Sequence, residues 1–147
     1  MANQGEESGA ERVDLSDEEW RQRLSPDQFE VLRRSATEAP GTGELLHEKR
    51  IGLFRCAACG NPLFRSDAKY DSGCGWPSFW ESLGPEALTE YEDVSHGMRR
   101  VEIRCARCSS HMGHVFPDGP PPTGLRFCMN SLAMTFEPEG DGETVQR

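Results

Sequence analysis

Arg99-Arg100-Val101-Glu102-Ile103-Arg104-Cys105-Ala106-Arg107-Cys108 decides the fold. Val101, Ile103 and Cys105 alternate with Arg100, Glu102 and Arg104, which is the period of a strand with one face turned to the core. The strand runs into a C-x2-C turn. Cys56-Ala57-Ala58-Cys59 repeats that turn upstream, after a second candidate strand, Gly52–Cys56. Zinc favours four soft donors in a tetrahedron, and each C-x2-C turn supplies two of them on one edge. Gly60, just after Cys59, accepts the positive φ of such a knuckle. The two pairs therefore read as one closed Cys56, Cys59, Cys105, Cys108 site holding a single structural Zn2+, with no open position for water. A thioredoxin-like redox motif would need a βαβ context, which the pattern lacks.

Outward from these pairs the chain reads as short strands between Gly, Pro, Asp and Asn. Leu63–Arg65, Leu125–Met129 and Leu132–Phe136 are further strand candidates, the last with Leu132, Met134 and Phe136 on one face, and Asn130-Ser131 is a turn or bulge. The expected fold is mainly β, two antiparallel sheets in a partly closed barrel-like arrangement. Two short N-terminal helices precede it. Ser16 with Glu19 and Ser25 with Gln28 are capping-box patterns, the second with Pro26 at the first helical position. Ala39-Pro40-Gly41-Thr42-Gly43 ends the helical part.

The chain has 147 residues and a net charge of −9. Residues 1–19 hold seven acids and one base, and residues 137–147 four acids and one base, so the segment between them is neutral. The expected organisation is an acidic disordered tail over 1–15, a single domain over 16–137 and an acidic tail over 138–147. A neutral core with acidic ends does not fit a nucleic-acid surface. No apolar run approaches the ~18 residues of a membrane span. The start of the chain lacks the pattern of a secretory signal, so a cytoplasmic protein is expected, with a monomer as the default for this size.

Zinc leaves Cys74 and Cys128. Spacing alone fits two buried structural thiols as well as a reactive pair. In Arg126-Phe127-Cys128-Met129-Asn130, alternation sends Phe127 and Met129 to the core and puts Cys128 beside Arg126, a charge that favours a thiolate. Cys74 sits in the flexible loop Ser72-Gly73-Cys74-Gly75. Together the two fit a nucleophile and a resolving thiol. His111 and His114 could complete a mixed zinc site with Cys105 and Cys108, but the first Cys pair makes that unnecessary, and they are available for proton transfer near neutral pH. Trp76, directly after Gly-Cys-Gly, is placed to wall a pocket over the thiols, flat and polarizable enough for a thioether methyl. A zinc-built binding module is the competing reading; it needs the metal site but neither Cys74, Cys128 nor the histidines.

Gly43-Glu44-Leu45-Leu46-His47, Lys69-Tyr70-Asp71-Ser72-Gly73-Cys74-Gly75-Trp76-Pro77-Ser78-Phe79 and Ser95-His96-Gly97-Met98 continue into His111-Met112-Gly113-His114-Val115-Phe116-Pro117-Asp118-Gly119-Pro120 and Arg126-Phe127-Cys128-Met129-Asn130-Ser131. In this order they resemble the B-type methionine sulfoxide reductases, over residues 17–137. The resemblance implies thiol-dependent reduction of methionine-R-sulfoxide, free or in proteins, as repair of oxidative damage. It implies Cys128 as the nucleophile that becomes a sulfenic acid, and Cys74 as the resolving cysteine. His111, His114 and Asn130 would bind and protonate the sulfoxide oxygen, with His114 as the acid, and Trp76 would hold the methyl group. Thioredoxin is the implied reductant of the resulting intramolecular disulfide.

Overall fold

The computed structural model describes residues 13–139. Of the tails expected over 1–15 and 138–147, residues 1–12 and 140–147 lie outside the described residues. Two helices open the described chain, α1 (Asp17–Arg23) and α2 (Pro26–Arg34), and both start in full capping boxes built by Ser16 with Glu19 and by Ser25 with Gln28. Each serine satisfies an otherwise orphan backbone N–H of the first turn, and replacing one by alanine costs about 1 kcal/mol. Trp20, Phe29, Val31 and Leu32 are the buried faces of the two helices. The described structure includes residues before the expected boundary at residue 16. Val13 donates its N–H to the Arg107 carbonyl at 2.8 Å, and Val13 and Leu15 pack against the core. It also continues past residue 137, where Glu139 N–H bonds to Ile51 O at 2.9 Å.

Nine strands follow, all paired antiparallel, in two sheets. The small sheet has the order β2-β1-β9, from β1 (Gly52–Cys56), β2 (Pro62–Arg65) and β9 (Met134–Pro138). The large sheet has the order β3-β4-β8-β7-β6-β5, from β3 (Lys69–Tyr70), β4 (Ser78–Phe79), β5 (Leu88–Asp93), β6 (Arg100–Cys105), β7 (His111–Phe116) and β8 (Arg126–Met129). The sheets are not closed into a barrel.

Register explains the core. Phe136, Phe54 and Phe64 are cross-strand partners in the small sheet, and Phe79, Phe127, Val115 and Val101 form one row across the large sheet. The rows meet face to face: Phe64 stacks on Phe79 at 4.0 Å, Phe54 meets the same ring edge-on at 5.0 Å, and Phe64 lies 5.7 Å from Phe127. The next row of the large sheet is Tyr70, Ser78, Cys128, His114, Glu102 and Tyr91. Strand pleating turns it to the opposite face, away from the small sheet. The sequence places β1, β6 and β8 within a residue of where they lie. β9 begins at Met134, because Ser131–Ala133 is a 3-10 turn that takes Leu132 out of the expected strand.

Candidate active site and metal centre

Cys128 lies in the middle of that polar row, with Ser78 as its partner on β4 and His114 on β7. Phe127 and Met129 on either side of it are buried in the core, as alternation requires. Cys74, from the loop before β4, brings its Sγ to 3.7 Å from Cys128 Sγ. Both thiols line a cavity of about 280 Å³ together with Trp76, Arg100, His114, Phe116 and Asn130. Trp76 is fixed as a wall by its indole N–H, which donates to Glu38 O at 3.0 Å.

The ionisation of the thiol pair differs from the sequence expectation. Arg126 is next to Cys128, but it is claimed by Asp118, with Nε and Nη2 at 2.9 and 3.1 Å from the carboxylate oxygens. Burial pushes the Cys128 thiol up to about 12, the neighbouring Cys74 adds to the rise, and Arg126 offsets only part of it. Burial also pulls Cys74 upward, yet hydrogen bonds from Ser72, Ser78 and the Trp76 backbone outweigh it and hold Cys74 at about 7. Cys74 is therefore the more acidic thiol of the pair.

The two histidines reach one face by a bulge. Residues three apart on a regular strand face opposite ways. Between Ile103 and Arg104 the β6–β7 register slips, so Arg104 pairs with His111 while Glu102 pairs with His114. A bulge of this kind adds one residue and re-aims those beyond it. The imidazole rings end 5.6 Å apart. His114 lines the cavity, and its Nε2 is 2.8 Å from Asp93 Oδ2. His111 is buried behind it and does not line the cavity; its Nδ1 is 2.7 Å from Glu102 Oε2. Burial pushes His111 below the usual imidazole value. Asn130 is also buried. Its Nδ2 donates to Met112 O at 3.1 Å and its Oδ1 accepts from Glu38 N–H at 3.0 Å. One amide N–H of Asn130 is left for a ligand. Glu38, Asp93 and Glu102 were not singled out from sequence. Their only signal is a hydrogen bond to a site residue far away along the chain.

The four remaining cysteines converge at the far end of the sheets. All four Sγ atoms lie within 4.8 Å of one another, with Cys56–Cys108 at 3.7 Å and Cys59–Cys105 at 3.6 Å. Four sulfurs at ~2.3 Å from a common metal stand ~3.8 Å apart along each tetrahedral edge, so the cluster is already the size of a metal–thiolate cage. The knuckles match: Gly60 N–H bonds to Cys56 O, and Ser109 N–H to Cys105 O, both at 2.8 Å, with φ of 85° and 64°. Backbone N–H groups of Ala58 and Arg107 point at the Cys56 and Cys105 sulfurs, each at 3.4 Å. The residues present can hold a metal ion.

The SelR domain profile matches residues 24–138. The chain is 57% identical over 127 residues to the peptide methionine sulfoxide reductase MsrB of Agrobacterium fabrum, covering 86% of this chain and 94% of that protein. It is 58% identical over 134 residues to the protein of the same name from Leifsonia xyli, covering 90% and 96%. With that of Bradyrhizobium diazoefficiens it shares 57% over 129 residues, covering 88% and 93%. An oxidoreductase site built on two adjacent thiols agrees with these relatives, and the chain belongs to the SelR family of B-type methionine sulfoxide reductases.

Proposed function

We propose that the chain reduces methionine-R-sulfoxide in peptides and proteins through Cys128 and Cys74, with His114 as proton donor. The observation that carries this reading is the direct cross-strand pairing of Cys128 with His114, which sets nucleophile and acid side by side at one cavity. The substrate's methyl group rests against Trp76, and its oxygen points to His114 and the spare N–H of Asn130. Cys128 attacks as its thiolate, formed when the proton it holds at rest passes to Cys74, 3.7 Å away. His114 protonates the departing oxygen as the sulfur–sulfur bond forms. The hydroxyl then passes from the methionine sulfur to Cys128 Sγ as the transient sulfur–sulfur bond breaks, so methionine leaves and Cys128 is a sulfenic acid. His111, behind His114, supports it and does not touch the substrate.

Cys74 then gives up that proton, attacks the sulfenic sulfur and expels water, making the Cys74–Cys128 disulfide. The sulfurs need to close from 3.7 Å to ~2.0 Å. The glycines flanking Cys74, with φ of 79° and 96°, allow a loop of that shape. An external dithiol, thioredoxin, returns both thiols by exchange. A turnover disulfide of this kind suits a reducing cytoplasm. The metal of the four-cysteine site is zinc, since four thiolates and no open position are its structural preference. It takes no part in the reaction. The enzyme acts as a monomer, because both thiols and both histidines come from one chain. Among the described residues, no helix is long and apolar enough to cross a membrane.

The low Cys74 value favours a second reading, in which Cys74 attacks and Cys128 resolves. Turnover of racemic methionine sulfoxide separates the two. The expected result is consumption of the R epimer alone. Cys128→Ser should abolish it. Cys74→Ser removes the proton acceptor but also the neighbouring sulfur that pushes the Cys128 thiol up, so it should keep one turnover and lose recycling by thioredoxin. The reversed phenotypes would exchange the two roles, and turnover of neither epimer by the metal-loaded wild type would refute the enzyme reading.

A further inference from the structure

We propose that Asp93 is the positioning carboxylate of the active-site acid: it holds the Nε2–H of His114, so that Nδ1 is the nitrogen that delivers the proton to the cavity. The inference rests on the reading of His114 as proton donor.

Asp93 ends β5, and its two oxygens have separate tasks. Oδ1 accepts from Ser95 N–H at 2.9 Å and from Ser95 Oγ–H at 2.7 Å, which fixes the carboxylate in a tight turn. Oδ2 is then presented to His114 Nε2 at 2.8 Å. Asp93 does not line the cavity, whereas His114 does. The Ser95 hydrogen bonds and then His114 hold Asp93 well below the usual carboxylate range, so it is ionised and can only accept. The proton of a neutral His114 must therefore sit on Nε2. Nδ1 makes no hydrogen bond among the described residues, and it is the position a second proton occupies in the imidazolium. A carboxylate behind an imidazole selects its tautomer.

His111 is the internal contrast. It is held through the other nitrogen, Nδ1, by Glu102, and its Nε2 is buried without a partner. The two histidines of one bulged strand are thus locked in opposite tautomers, and only one of them faces the substrate. The groups that bear on His114 are Asp93 from β5, Arg100 and Glu102 from β6, His111 from its own strand, and Arg126 and Cys128 from β8, with Cys74 at the same cavity. Arg100 Nη2 is 3.4 Å from Asp93 Oδ2 and tempers the carboxylate. Among the described residues, no other carboxylate bonds to the His114 ring.

The test is nitrogen-15 NMR of the His114 ring together with the pH profile of methionine release in a single turnover without reductant. In wild type, neutral His114 should carry its proton on Nε2. Asp93→Asn keeps the Oδ1 acceptor for Ser95 but turns an amide N–H toward His114. It should move the neutral proton to Nδ1 and lower the profile about tenfold or more at neutral pH. Ser95→Ala alters the turn without touching Oδ2 and should leave the His114 tautomer as in wild type. An Nδ1–H tautomer in wild type, or an unchanged profile in Asp93→Asn, would overturn the proposal. His114→Ala, run in parallel, keeps the two inferences apart. If it alone loses the reaction, the acid assignment stands without Asp93; if it retains full activity, the assignment of His114 falls and the role of Asp93 with it.

Discussion

Arg126 stands two residues before Cys128 on the same side of the strand, and by position alone it is the group that should ionise that thiol. Folding gives its charge to Asp118 instead and leaves Cys128 buried beside a second sulfur. The hydroxyls of Ser72 and Ser78 do for Cys74 what Arg126 does not do for Cys128. Alkylation of the metal-loaded, reduced protein checks this. Thiolate fraction rises with pH through a thiol's pKa, so iodoacetamide should modify Cys74 first, with a midpoint near the value of about 7. Cys128 should react only at much higher pH. Faster modification of Cys128 below pH 8 would show that the charge at rest lies on the other sulfur.

Strand β7 is the element on which the site depends. Its bulge turns His111 and His114 to one face, and Gly113 between them lets β8 come close: a Cβ at Gly113 would overlap the Cys128 carbonyl oxygen. Gly113→Ala should therefore push β8 away, destabilise the fold by about 1–3 kcal/mol and lower turnover at least about tenfold, since small displacements at a reacting centre cost rate steeply. Thermal unfolding and single-turnover rates measure both; an alanine variant with wild-type rates would deny that the spacing matters. The same element shows where sequence reading stops. The capping boxes, β1, β6 and β8 were legible because each is a local pattern of residues a few positions apart. β7 was not, because its bulge breaks the period of two. Nor was β5, whose middle residues are exposed and show no apolar alternation. Cys74, Trp76, Asn130 and Cys128 were legible as a set and come together at one cavity. His111 was placed at the substrate but stands behind His114. Asp93 and Glu102 could not be read at all, since a carboxylate on one strand says nothing about a histidine on another.

At the scale of the whole molecule, the four-cysteine cluster is a clamp between the sheets. Cys56 ends β1 of the small sheet and Cys105 ends β6 of the large one, while Arg33 of α2 reaches the same knuckle through Cys108 O at 2.9 Å. β7 begins three residues after Cys108, so a loosened clamp frees the strand that carries both histidines. Because metal binding to such a site is coupled to folding, removing the metal with a strong chelator should lower the thermal midpoint and abolish activity together, and added zinc should restore both. A metal-free protein with an unchanged midpoint would mean the phenylalanine rows between the sheets suffice. The six cysteines thus divide, on the proposed function, into four placed to hold a metal ion and two placed to turn over. One measurement tests that division most directly: peptide mapping and metal content of the protein after one turnover of methionine-R-sulfoxide without reductant. It should yield one methionine, a single Cys74–Cys128 disulfide and undiminished zinc. A disulfide within the Cys56, Cys59, Cys105, Cys108 set with loss of the metal, or methionine formed with Cys74 and Cys128 still reduced, would contradict it.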